Sequence, residues 1–371
     1  MRRLLPRVEE SGLLSVLSEW DWEKQRTRVG ISADPLRIAS VSSGRHQAAE
    51  FIARNPLSTI VHCWHIDSFQ ALRTSEHFTL AEKENESKEV PSNLIVDCAA
   101  DLRNETFHLA LLSLVATGEA ELSRDYMQQL FHRLCIGGTL MVSVDNEDDR
   151  WVHEQLKSYE KSVKVRNQKG AKIYWIEKTA ELKKLRDFTC ELAYRDCDEL
   201  IHLVTRPGVF SHRQLDNGAR QLLDAVDVYP EARLIDIGCG SGSVALGLAK
   251  RDATAKVHAV DANSRAIDCV LRGIEINALE NVTVEVNPTG HYQDPGSFDM
   301  ALANPPYFGD FRIAEKFIQA AHRSLRAGGR LVIVTKQPGW YEENLGKWFM
   351  DCEVYPSRRY FIASGVKGPS S

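Results

Sequence analysis

The chain has 371 residues, of which 43% are hydrophobic and 26% charged, with a formal net charge of −5. That length allows two domains, each able to bury its own core, and the composition excludes disordered and fibrous classes. The negative balance argues against global attraction to nucleic acid and leaves any such binding to a local patch. No apolar run reaches the roughly 18 residues of a membrane span. The basic start Met1-Arg2-Arg3 is followed by Glu9, Glu10 and Glu19, not by the apolar stretch of a secretion signal. The eight cysteines (63, 98, 135, 190, 197, 239, 269 and 352) form no Cys-x-x-Cys pair and sit mostly in apolar contexts. They read as reduced, buried thiols of a cytoplasmic protein, with no metal site.

Residues 1–30 suggest one amphipathic helix carrying Leu13, Leu14, Val16, Leu17 and Trp20. A strand over Arg37–Val41, the turn Ser42-Ser43-Gly44 and a helix through Ala48, Phe51 and Ile52 follow. Thr59–Trp64 is a second strand, the acidic run Ala81 to Glu89 a loop, and Leu94–Val96 and Leu109–Leu112 further strands. A helix near Tyr126–Leu134 and a strand over Thr139–Val144 complete the set. Strands alternating with helices predict a parallel, doubly wound sheet.

The pattern then repeats. Phe107-His108-Leu109-Ala110-Leu111 aligns with Phe298-Asp299-Met300-Ala301-Leu302 at an offset of 191. At the same offset Leu134-Cys135-Ile136-Gly137-Gly138 meets Leu325-Arg326-Ala327-Gly328-Gly329. One register across two separated blocks implies a duplicated α/β domain, with copies at 1–180 and 181–371. Between them, Lys157 to Arg186 holds ten Lys or Arg against three Glu, a local charge of +7 that leaves −12 elsewhere. A solvated helix-and-hairpin surface is the favoured reading of that run, and a phosphate-binding patch including Lys161, Lys164, Arg166 and Lys169 the alternative.

In the second copy, Leu234–Ile237 is a strand entering the glycine loop Gly238-Cys239-Gly240-Ser241-Gly242, and a helix spans Val244–Lys250. Lys256–Asp261 is the next strand. A glycine turn after a first strand lets a ligand approach the backbone, and an acid ending the second can hold ribose hydroxyls. That fits a dinucleotide or S-adenosylmethionine. The dinucleotide fingerprint wants glycine where Ser243 stands.

A strand over Phe298–Ala303 leads into Asn304-Pro305-Pro306-Tyr307. Two prolines forbid helix, remove two backbone donors and hold the residues before them extended. An amide or nucleobase amine is a poor nucleophile because its lone pair is delocalised. Accepting its hydrogens at the Asn304 amide oxygen and the Pro305 carbonyl localises that pair, while Tyr307 stacks on the flat group. Alignment with an electrophilic methyl and placed dipoles then supply the rate. In the first copy the corresponding segment is Ser113-Leu114-Val115-Ala116, and only Ser42-Ser43-Gly44 stands for the glycine loop, so that copy keeps the scaffold without the site.

These motifs carry a resemblance. The second half resembles class I S-adenosylmethionine-dependent methyltransferases, and the whole chain resembles the two-domain ribosomal RNA guanine-N2 methyltransferases. Arg206-Pro207-Gly208-Val209-Phe210-Ser211 with Leu215-Asp216 is similar to that family's entry segment, Asp236 to Gly242 to its cofactor loop, and Asn304 to Tyr307 to its catalytic motif. The resemblance implies two tandem Rossmann-like domains, the first degenerate. It implies S-adenosylmethionine on Gly238, Gly240 and Gly242, ribose on Asp261 and adenine near Asn287. It implies catalysis at Asn304, Pro305, Pro306 and Tyr307, and a partner in ribosomal RNA or a ribosomal subunit, with no membrane and no metal. An adenine amine, a protein glutamine amide, or a non-catalytic scaffold are the competing expectations.

Overall fold

The computed structural model describes residues 5–55, 59–83, 92–292, 294–306 and 311–369, which divide into two compact units at Phe188/Thr189. In the first, α1 (Val8–Leu17), α2 (Trp22–Arg28), β1 (Leu36–Val41), α3 (Gln47–Ala53), β2 (Thr59–His65), α4 (Ser68–Lys83) and β3 (Leu94–Cys98) come first. β4 (Phe107–Leu114), α5 (Ala120–Arg133), β5 (Leu134–Val144), α6 (Trp151–Lys157), β6 (Lys164–Gln168) and β7 (Ala171–Glu177) complete it. The seven strands form one sheet in the order β3-β2-β1-β4-β5-β7-β6. Its first five strands are parallel, and the last two pair antiparallel. Leu109, Ala110, Leu111 and Leu112 of β4 are all fully buried, the mark of a parallel strand covered on both faces.

Three expectations change here. The amino-terminal helix is two helices, because Asp21 starts a new one by accepting the backbone N–H of Lys24 at 2.9 Å. The acidic stretch expected as loop from Ala81 begins inside α4, and its remainder lies outside the described residues. The first unit also runs eight residues past 180. Buried Lys178 donates to the carbonyls of Leu134 (2.7 Å) and His132 (3.0 Å), and Arg186 exchanges two 2.8 Å hydrogen bonds with Gln128. Those bonds tie the segment to α5 and β5.

The second unit opens with a hairpin, β8 (Cys190–Asp196) and β9 (Glu199–Thr205), then α7 (Asn217–Asp224), β10 (Arg233–Ile237), α8 (Ser243–Arg251), β11 (Lys256–Asp261) and α9 (Ser264–Ile276). β12 (Val282–Val286), β13 (Phe298–Ala303), α10 (Arg312–Ser324), β14 (Leu325–Thr335), α11 (Pro338–Asn344), β15 (Met350–Ser357) and β16 (Tyr360–Val366) follow. The sheet order is β12-β11-β10-β13-β14-β16-β15, the first domain's order strand for strand. β5 and β14 are each 11 residues long and start 191 residues apart, as the repeated blocks require.

The order reverses at β10, which has β11 on one side and β13 on the other. Open parallel sheets bind ligands beyond the carboxyl ends of their strands at such a point. Register makes the edge level: Ile237 pairs with both Val260 and Ala303, and Asp261 pairs with Val286. The residues leaving the sheet there are Gly238, Asp261, Asn287 and Asn304.

Candidate active site

The glycine loop is shaped by backbone that only glycine adopts without strain. Gly238 has φ +73°, and a Cβ there would lie 2.7 Å from the Phe317 ring. Gly240 has φ +54° and would meet nothing within 4 Å, so its outer face is open. The loop is tied down from below by Gly238 and Cys239, whose N–H groups donate to Val260 O at 2.8 and 3.0 Å. Beside it, Gly240 N–H donates to Asp261 Oδ2 at 2.9 Å, and Asn263 N–H donates to Oδ1 at 2.8 Å.

Asp236 lies beneath the loop, 2% exposed, and accepts the N–H of Ala245 in the first turn of α8 at 3.1 Å. Burial pushes its carboxyl up to about 7; the Ala245 bond opposes the shift and the Asp261 charge adds to it. Asp236 therefore holds the loop-to-helix turn, and Asp261 stands at the ligand edge. Burial likewise raises the Cys239 thiol well above its usual range, which makes it an inert packing group.

Asn287 is placed at the same edge, but its acceptor is committed. Its Oδ1 takes the N–H groups of Thr289 (2.9 Å) and Gly290 (3.0 Å), and its Nδ2 donates to Glu285 Oε1 and to His291 O. The side chain is the keystone of an Asn-Pro-Thr-Gly turn, chemistry that the dipeptide Asn287-Pro288 signals in the sequence.

Asn304 continues from Ala303 at the end of β13, with Pro305 buried behind it. Its Nδ2 donates to Asp216 Oδ2 at 2.6 Å, and the same oxygen accepts the N–H of Ala219 at 2.8 Å to cap α7. Tyr307 lies outside the described residues.

Sequence reasoning did not anticipate the clamp on the entry segment. Fully buried Arg265 donates to Pro207 O at 2.8 Å, Asn263 Nδ2 donates to Gly208 O at 2.6 Å, and Arg206 pairs with Asp268 at 2.9 Å. Residues 206–208 are thus fastened to the start of α9, directly after Asp261. Val209 packs with Ala266 and Cys269 below.

The matching edge of the first domain is filled by its own chain. Glu10 of α1, 1% exposed, accepts from the Ser42 hydroxyl and from Ala48 N at 3.0 Å, with Ser113 Oγ at 3.5 Å. Ser42 belongs to the turn standing for the glycine loop, and Ser113 is the counterpart of Asn304 at offset 191. A carboxylate from α1 thus sits among the groups that correspond to the second domain's ligand edge.

The basic run is partly committed to the fold. Lys164 pairs with Glu177 at 2.8 Å; Arg166 pairs with Glu19 at 2.7 Å and donates to Ser15 O. Both lie on β6, the outermost strand, where charge discourages pairing with another chain's edge. Lys161 and Lys169 are exposed and make no ion pair among the described residues. The cysteines are all free, but only Cys63, Cys239 and Cys269 are buried; Cys98, Cys197 and Cys352 are exposed, against the expectation of buried thiols. No helix among the described residues is long and apolar enough to cross a membrane.

The second domain thus resembles class I S-adenosylmethionine-dependent methyltransferases in its fold and in the glycine loop at its sheet edge. Residues 200–364 match the family model described as methyltransferase small domain. Ribosomal RNA small subunit methyltransferase C of Acinetobacter baumannii is 27% identical over 208 residues, 54% of this chain and 62% of that relative. Ribosomal RNA large subunit methyltransferase G of Aeromonas hydrophila is 34% identical over 172 residues, 44% of this chain and 45% of that one. These matches span about three fifths or less of the relatives' own length. The solved 16S rRNA N2 methyltransferase RsmC of T. thermophilus, in complex with AdoMet and guanosine, superposes with a TM-score of 0.73. It is 19% identical and covers 94% of this chain and 92% of its own, so the likeness in fold takes in both domains. The chain resembles the two-domain ribosomal RNA guanine-N2 methyltransferases.

Proposed function

We propose that this protein transfers a methyl group from S-adenosylmethionine to the exocyclic amine of a guanine in ribosomal RNA. The observation that carries the reading is the level edge at which Gly238, Asp261 and Asn304 leave adjacent strands, with the Asn304 amide nitrogen already turned to a carboxylate. The open face at Gly240 accommodates a bound cofactor, and Asp261 offers carboxylate oxygens suited to ribose hydroxyls. When bound, S-adenosylmethionine supplies an electrophilic methyl on a sulfonium. The chain's own residues do the rest. Asn304 Oδ1 and the Pro305 carbonyl accept the two amine hydrogens, which directs the nitrogen lone pair at the methyl. With these acceptors no general base is needed, and the surplus proton of the alkylated amine leaves to solvent.

The names of the relatives point to RNA of both subunits, and the cytoplasm, where ribosomes are, is the compartment we infer. The test is in vitro methylation with labelled S-adenosylmethionine and unmodified small- and large-subunit RNA, free and assembled, with nucleoside analysis of the product. N2-methylguanosine formed by the wild type, at a rate lowered about 10²-fold but still measurable in Asn304→Ala, is the expected result. Label found on protein and not on RNA would replace this reading with glutamine-amide methylation.

A further inference from the structure

The geometry points to Asp216 as the residue that positions and polarises the Asn304 amide for catalysis, an inference that rests on the methyltransferase reading above. A carboxylate can only accept, so the group 2.6 Å from Asp216 Oδ2 must be the amide NH2 of Asn304 and not its oxygen. That contact turns the NH2 of the carboxamide toward Asp216 and its Oδ1 away from it, the orientation in which the oxygen can serve a substrate amine. An amide that donates to a charged acceptor carries more electron density on its own oxygen, so the same bond makes Oδ1 a better acceptor. A carboxamide turned the other way would offer a donor where an acceptor is needed.

Asp216 is itself held. Its Oδ2 accepts the N–H of Ala219 at 2.8 Å, which anchors it to the first turn of α7. That helix packs its buried Ala219, Leu222 and Leu223 into the second domain's core. The carboxylate therefore belongs to a rigid element 88 residues away in sequence from the group it orients. Such outer partners carry the precision of a site, and an error of about 1 Å in placement costs roughly 10²-fold in rate.

Two substitutions separate positioning from capping. Serine is as good a helix cap as aspartate but too short to reach Asn304. Asparagine keeps an oxygen for both contacts while removing the charge. Asp216→Ser in the full chain is expected to lower kcat by about 10²-fold, with KM for RNA, cofactor affinity and melting temperature little changed. Asp216→Asn should fall between that variant and wild type. In an Asn304→Ala background Asp216→Ser should cause no further loss, since there is no amide left to orient. Wild-type kcat in Asp216→Ser, or losses that multiply in the double variant, would overturn the proposal. A second readout does not depend on the acceptor. The side-chain amide 15N–1H pair of Asn304, assigned by its loss in Asn304→Ala, should be shifted downfield in wild type and revert in Asp216→Ser. If that resonance is the same in both, Asp216 does not hold the amide, whatever the substrate proves to be.

Discussion

Gly240 donates its backbone N–H to Asp261 at 2.9 Å, so the glycine loop and the acid ending β11 form one hydrogen-bonded unit 21 residues apart. The entry segment joins the same unit, because Asn263 holds both Asp261 and the Gly208 carbonyl. A ligand bound at this edge meets a surface whose parts are already set relative to one another.

Asp261→Ala should weaken S-adenosylmethionine binding by roughly 10- to 150-fold, the equivalent of about 1.5–3 kcal/mol for hydrogen bonds to a charged group. Calorimetry on the full chain checks this, and unchanged affinity would remove Asp261 from the cofactor site. The same titration should give one site per chain, because Glu10 occupies the corresponding edge of the first domain. Two sites would mean that the first domain binds cofactor despite that carboxylate.

Much of this was legible in the sequence, and the misses have particular causes. The offset of 191 between Phe107–Leu111 and Phe298–Leu302 announced a duplication that the identical strand orders display in full. The glycine loop and Asn304-Pro305-Pro306 were readable because glycine and proline encode backbone geometry locally. α4 was not foreseen because its inner face uses Ala71, Thr74 and Phe78, and a buried threonine dilutes the helical apolar period. Glu10 was unreadable for the opposite reason: a carboxylate on an amphipathic helix looks solvated until its partners Ser42 and Ser113 arrive from distant positions. The contact between Asp216 and Asn304 is likewise a product of tertiary structure alone.

The Asp236 carboxyl sets a pH dependence whose sign follows from its burial. Its folded value of about 7 is raised from 3.8, so the stability it confers is present below 3.8 and lost as pH rises through 7. Asp236→Asn keeps an acceptor for Ala245 and removes the titration. Relative to wild type, that variant should therefore gain stability progressively between pH 4 and pH 8. Thermal unfolding of the cofactor-free chain across that range tests it, and a constant difference between the two proteins would count against a neutralised Asp236.

The first domain carries the opposite dependence. His46 and His65 lie with ring centroids 4.6 Å apart, and His46 Nδ1 bonds Ser40 Oγ at 2.9 Å. Burial lowers both, His65 to about 4 from 6.5 and His46 well below its usual range. A depressed folded value means stability that is complete above 6.5 and lost as pH falls through 4. His65→Phe should flatten the acid limb of unfolding between pH 6.5 and pH 4. In wild type the imidazole proton resonances of both residues should not titrate above about pH 5. Titration of either near 6.5 would show that the pair is open to water.

The last prediction concerns the basic run and follows from where its charges sit. Each phosphate neutralised by a cation releases counterions, so log K falls with log salt by roughly 0.7–0.9 per contact. Lys164 and Arg166 already pair with Glu177 and Glu19, whereas Lys161 and Lys169 are exposed without an ion pair among the described residues. If this surface meets RNA, replacing Lys161 and Lys169 with Gln should flatten the salt slope by about one to two units. Replacing Lys164 and Arg166 should do less to the slope, because their charge is already compensated. Affinity should fall alike across RNA sequences, since phosphate contacts position and do not specify, and cofactor affinity should stay as it is. A slope indifferent to Lys161 and Lys169 would leave the run as the charged guard of an edge strand, and RNA binding would have to be sought on other surfaces of the protein.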